Sequence, residues 1–212
     1  MNAARSQLGR PVGASGERTR ARIITAAMRC VAEVGYSQAT IREIAKAADM
    51  TSGSLYHYFP NKSELLTATV REIDEIALPR VRSAAAHSDD VVERLEAMLD
   101  ELDRLLREYP HLAAFERAMR GHAGLKGLRD TIDGIVRDAQ ARGALSPDTD
   151  PGAAVNAIYA LARGLTDRSA NLTADAYAAT LASAKKLLRG TLFEPRASRR
   201  ASTAQRRSKR DP

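Results

Sequence analysis

Residues 41–66 read IREIAKAADMTSGSLYHYFPNKSELL, and the spacing inside this run decides the fold. Ile41, Ile44, Ala45 and Ala48 recur at i, i+3, i+4 and i+7, which is one face of a helix. Thr40 stands just before them with Glu43 three residues on, the pattern of a capping box. Only Asp49 and Met50 separate this helix from Thr51, a second N-cap, whose helix must stop before Pro60. Another helix opens at Asn61, with Glu64 completing a further capping box. It runs to about Ala77, before Pro79 interrupts it. Upstream, Ile23, Ala27, Val31 and Val34 mark a helix that begins at Glu17 and ends at Gly35.

Three short helices with a tight turn between the last two suggest a helix-turn-helix unit, Thr40–Ala48 leading into Thr51–Tyr58. In such a unit the later helix lies in the major groove of DNA and turns its N-terminal residues to base edges. Gly53 costs a helix about 1 kcal/mol relative to Ala, an expense that makes sense where the backbone must approach DNA closely. Ser52 and Ser54 carry small hydroxyls suited to phosphates or bases. The chain has six Tyr, three Phe and no Trp, yet Tyr56, His57, Tyr58 and Phe59 are consecutive. Leu55 and Phe59, four apart, form the inward pair. Tyr56, His57 and Tyr58 then divide between phosphate grip and core, with at least one expected inward.

The run from Ile41 to Leu66, with RIITAAMRCVAEVGYSQAT before it, resembles the DNA-binding domain of the tetracycline-repressor (TetR) family of transcriptional regulators. The resemblance is specific over about residues 18–66; beyond that it extends only to a helical architecture of suitable length. It implies that Thr40 caps the second helix and holds a phosphate, with Arg42 beside the groove. Thr51, Ser52, Gly53 and Ser54 would form the leading edge of the recognition helix. Tyr56, His57 and Lys62 would hold phosphates. Many family members carry Lys or Arg where this chain has Ser52, so reading would depend more on Arg42, His57, backbone approach and DNA shape. Arg18, Arg20 and Arg22 would reach a minor groove or flanking phosphates, or stand as solvated surface charge.

Past Pro79 the periodicity predicts helices near 89–107, 111–120, 125–143, 151–168 and 173–192. They are punctuated by Tyr109-Pro110, Gly121, Gly143, Ser146-Pro147 and Asn171. The fold class is therefore all-α: an N-terminal three-helix DNA-binding domain (17–66) and a larger helical domain for effector binding and dimerisation (67–193). These lie between basic ends read as disordered (1–16 and 194–212). The net charge of +7 resides in those ends: residues 1–22 carry +4 and residues 193–212 carry +5, leaving −2 for the rest. Such ends suit a polyanion or serve as solubilising tails.

The single cysteine, Cys30, fits a reducing cytoplasm and reads as a small buried hydrophobe. No apolar run approaches the roughly 18–20 residues that span a bilayer, so a cytoplasmic protein with no membrane partner is expected. His57, His87, His111 and His122 lack metal-ligand spacing, and no nucleophile elbow or phosphate-cradling glycine loop occurs. His111 and Glu116 lie near one another, but one His and one Glu on a helix make no catalytic constellation. Neither an enzyme nor a bound cofactor or metal is expected.

The resemblance further implies a homodimer built from the helices near 151–168 and 173–192. Ala154, Ala157, Leu161, Gly164 and Leu165 offer one face, and Tyr177, Leu181, Ala184 and Leu188 another. It also implies a small lipophilic effector, fatty acyl or similar, inside the second domain. Candidate lining residues are Met98, Leu102, Leu106, Phe115, Met119, Ile132, Ile135, Val136 and Tyr159, with Arg163 or Arg117 facing any carboxylate; at each position ordinary core packing is the competing and stronger reading. The expected behaviour is that of a repressor on a palindromic operator, released by its effector. The alternative is a constitutive or architectural DNA-binding dimer without one.

Overall fold

The computed structural model describes residues 12–120 and 126–193. The readings of residues 1–11 and 194–212 as disordered basic ends, and the assignments made to Gly121 and His122, lie outside them. In order come α1 (Val12–Gln38), α2 (Ile41–Ala47), α3 (Ser52–Tyr56), α4 (Lys62–Ala85) and α5 (Val91–Glu108). They are followed by α6 (Leu112–Ala118), α7 (Lys126–Ala141), α8 (Pro151–Ser169) and α9 (Ala174–Leu188). Among the described residues the fold is all-α, with α1–α3 as a helix-turn-helix head and the later helices as a larger bundle.

The local signals act through named bonds. Thr40 Oγ1 accepts from the Glu43 amide at 3.2 Å, and Glu43 Oε2 accepts from the Thr40 amide at 2.9 Å, so the box over α2 is complete. Thr51 caps α3 by accepting from the Ser54 amide at 3.1 Å. Asn61 caps α4, but Glu64 reaches the Asn61 side-chain amide at 3.4 Å, so only half of the expected second box forms. Between α2 and α3 the chain turns on Asp49, whose φ of 52° is left-handed, while the Met50 amide closes on the Ala45 carbonyl.

Two helices exceed their expected bounds. α1 begins at Val12 rather than Glu17, because Ala14, Glu17, Arg18 and Ala21 are good helix formers that outweigh Gly13 and Gly16. Its regular course breaks at Gly35, where φ is 83°, as the sequence indicated. α4 does not stop before Pro79 but continues to Ala85. Tertiary contacts offset the lost backbone bond: Val81 and Ala85 are buried beyond the proline. Arg80 also bridges to Glu101 and Glu108 on α5, each at 2.7 Å.

The buried side chains form two clusters. One holds Ile23, Ala27 and Val31 of α1 with Ile44, Leu55, Phe59, Leu65 and Leu66, and α6 plugs it with Phe115 and Met119. The other lies among α4, α5, α7, α8 and α9. α4 belongs to both, through Leu65–Val70 at one end and Val81 and Ala85 at the other, with Ile73 touching each. Head and bundle therefore share one continuous helix and the α6 plug. No helix among the described residues is long and apolar enough to cross a membrane.

Candidate nucleic-acid interface

The α2–α3 unit is a thin exposed layer on a dry anchor. Leu55 is fully buried and Phe59 nearly so, which fixes the rotation of α3. Thr51, Gly53, Ser54, Tyr56 and His57 then face solvent, with Ser52 half-buried. Tyr56 is 51% exposed and Tyr58 37%, so all three residues of the Tyr-His-Tyr run point outward. The expectation that one turns inward is corrected. Leu55 and Phe59, one helical turn apart, already fill the inward face and leave no room on it for a third ring.

Thr51 and Ser54 are partly committed to each other, their hydroxyls 2.9 Å apart. Thr40 and Arg42 lie exposed at the start of α2. Thr40 and Thr51 are the N-caps of α2 and α3, Arg42, Ser52, Gly53 and Ser54 stand in the first turns behind them, and Tyr56 and His57 lie at the C-terminal end of α3. A methyl group added at Gly53 would meet only Thr51 Oγ1, at 3.8 Å. Nothing among the described residues requires a glycine there.

Several basic side chains brace the head. Lys62, half-buried, donates to the Tyr36 carbonyl and lies 4.5 Å from the centre of that ring. Arg20 sits 4.7 Å over the Phe59 ring, while Arg18 and Arg22 are exposed. Arg29 donates to the Ala47 carbonyl at the end of α2. The bracing roles of Tyr36, Arg29 and Asp49 had no signal in local spacing, since each depends on a partner distant in the chain or on backbone conformation. Burial and the nearby Glu43 and Glu33 push the Cys30 thiol up, as befits an inert buried side chain.

The residues assigned to an effector pocket are dispersed. Phe115 and Met119 belong to the head cluster, where α6 packs on α1. Met98, Ile132, Ile135 and Val136 are buried within the bundle core. Arg163 lies 5.9 Å from the centre of the Tyr159 ring, and Arg117 is exposed. Leu102 and Leu106 do line a cavity, a space of about 30 Å³ also lined by other leucines, Asp74, Glu116 and Thr166. A second, apolar cavity of about 270 Å³ reaches α1 at Ile24 and Met28. Ile73, Ala77, Leu105 and Leu112 line both and so form the wall between them. Burial, the strongest influence, pushes the Glu116 carboxyl up to about 7, with Arg163 opposing and Asp74 and Asp167 adding to the rise.

The expected dimer stripes are also displaced. Tyr177, Leu181 and Ala184 are buried against their own bundle, as is Leu165, with Ala154, Leu161 and Leu188 packed partly on it. α9 leaves Leu187 exposed. On α8 the exposed row is Ala153, Ala157, Ala160 and Gly164.

Residues 23–69 match the family described as "Bacterial regulatory proteins, tetR family". The HTH-type transcriptional regulator UidR of Escherichia coli K12 is 32% identical over 138 residues, 61% of this chain and 70% of UidR. The HTH-type transcriptional repressor KstR of Mycolicibacterium smegmatis is 31% identical over 160 residues, 74% of this chain and 76% of KstR. In fold, the chain is similar to the regulator FadR from Bacillus subtilis in complex with stearoyl-CoA. The TM-score is 0.70 at 23% identity, covering 82% of this chain and 99% of FadR. With a matching head and relatives that match along most of their own length, the chain belongs to the TetR family of DNA-binding transcriptional regulators.

Proposed function

We propose that the protein is a repressor that binds a palindromic operator as a homodimer and is released by a small lipophilic effector. The observation that carries this reading is the exposed edge Thr51–His57, rotated outward by the buried Leu55 and Phe59, on a head joined to the effector domain by α4. The head includes residues 17–66 together with the start of α1 from Val12, and the effector and dimerisation domain takes residues 67–193. Thr40, Arg42, Thr51, Tyr56, His57 and Lys62 hold phosphates and groove edges; Ser52, Gly53 and Ser54 approach the bases.

One head reads one half-site, so two copies are needed about one DNA turn apart, roughly 34–36 Å. The small exposed row on α8 allows a second copy to approach closely. The cavities on either side of the Ile73–Leu112 wall lie against α4, and the larger also against α1. An effector that expands them favours an arrangement in which α4 tilts and the heads spread. A coupling of about 1–3 kcal/mol lowers operator affinity by about 5–150-fold.

The test is fluorescence anisotropy with the DNA immediately upstream of the protein's own gene against a scrambled duplex, at two salt concentrations. A panel of lipophilic compounds is then added to the complex. Specific binding abolished by a compound supports the reading. Specific binding that no compound alters favours a constitutive regulator. Equal, steeply salt-dependent binding to both duplexes leaves only the phosphate contribution and counts against an operator at that position.

A further inference from the structure

The small cavity is unusual in its charge. Its walls include Leu102, Leu105, Leu106 and Leu128, yet Asp74 of α4 and Glu116 of α6 open into it. Among the described residues neither carboxylate has a hydrogen bond or an ion pair. Two cations act on them through space, Arg82 on Asp74 and Arg163 on Glu116. Arg82 directs its Nε to the Thr131 hydroxyl at 3.4 Å, and Arg163 lies over Tyr159. Of the other charges nearby, Arg120 is paired with Asp167 across α6 and α8. The residues of α5 and α7 that line the cavity are apolar. Both side chains are half-buried, and two acids beside leucines without bonded partners are costly when ionised, a cost that a positive charge placed between them lowers.

We infer that the effector is a lipophilic amine, its ammonium group seated between Asp74 and Glu116 and its hydrocarbon chain in the larger apolar cavity. This rests on the effector-responsive reading above and names the chemical class. A space of about 30 Å³ suits a headgroup the size of a water or an ammonium and excludes a chain. The chain must cross the wall of Ile73, Ala77, Leu105 and Leu112 to reach the cavity of about 270 Å³ beside Ile24 and Met28. Displacing that wall moves α4 against α1, which is the motion that release of DNA requires. An acidic effector is disfavoured because its carboxylate would meet Asp74 and Glu116 with no unengaged cation at the cavity wall.

The experiment is titration calorimetry of the full chain with octylammonium, octanoate and octan-1-ol, repeated on Glu116→Gln and Asp74→Asn. Octylammonium is expected to bind about tenfold more tightly than octanol, a difference that one uncompensated charge readily supplies. The preference is expected to fall to within about twofold in Glu116→Gln. In the wild type, amine affinity rises between pH 6 and pH 8 as Glu116 ionises; in Glu116→Gln it stays level. Octanoate binding as tightly as the amine, an amine preference that survives both substitutions, or no binding of any probe overturns the inference. The same probes added to the protein–DNA complex separate the two readings. Release by octanol or octanoate alone keeps the effector-responsive regulator and removes the amine class. Tight amine binding without release keeps the site and removes its regulatory role.

Discussion

The ammonium group of Lys62, the first residue of α4, donates to the backbone carbonyl of Tyr36 and lies 4.5 Å from the centre of the Tyr36 ring. A cation at a helix N-terminus opposes the helix dipole, so this placement requires a compensating partner. Tyr36 follows the break in α1 at Gly35, and the contact ties the end of the first helix to the start of the fourth. Lys62 therefore fixes the frame of the head. Lys62→Met is expected to lower stability by about 1 kcal/mol, measured by urea unfolding. If Lys62 also neutralises a phosphate, the slope of log affinity against log salt falls by about one. A lower stability with an unchanged slope assigns it to bracing alone.

Glu116 makes the fold sensitive to pH. Its folded carboxyl titrates at about 7, against an ordinary value of 4.5. Between those values the folded state holds a proton that the unfolded chain has lost. Stability from this group is therefore full below pH 4.5, declines as pH rises toward 7, and is level above it. The loss is on the order of 3 kcal/mol at most. Chemical denaturation of Glu116→Gln at pH 5 and pH 8 should show a smaller difference than the wild type, with the variant the more stable at pH 8. Parallel pH profiles would mean the carboxyl is solvated.

Pro79 interrupts the backbone bonding of α4 without ending the helix. Pro79→Ala restores an amide donor, and the gain exceeds the added freedom of the unfolded chain. A stabilisation of about 1–3 kcal/mol is expected from thermal or urea unfolding. A destabilised variant would mean that the contacts of Arg80, Val81 and Ala85 depend on the proline's geometry.

The head was legible because its determinants are local. Thr40 with Glu43, Thr51 with Ser54, and the i, i+4 pair Leu55 and Phe59 specify caps and rotation within a few residues of each other. Periodicity also located the later helices, but it reports only that a face is buried and not what buries it. Phe115 and Met119 read either as pocket lining or as core, and they plug the head as core. Tyr177, Leu181 and Ala184 read as a dimer stripe and pack at home. The continuation of α4 depends on Arg80 meeting Glu101 and Glu108, residues 21 and 28 positions away. Asp74 was missed because an acid on an amphipathic helix reads as solvent-facing; only the packing of α4, α5 and α6 brings it to the cavity wall, half-buried.

The most direct test of the DNA-reading surface is Gly53→Ala, with operator affinity and unfolding free energy measured on the same preparation. Within the protein the new methyl group has space, and helix propensity alone favours alanine by up to about 1 kcal/mol. The account predicts a protein as stable as the wild type or more so, with operator affinity reduced about tenfold or more because the methyl group blocks close approach to the bases. Unchanged affinity in a stable variant would contradict the placement of α3 against the groove.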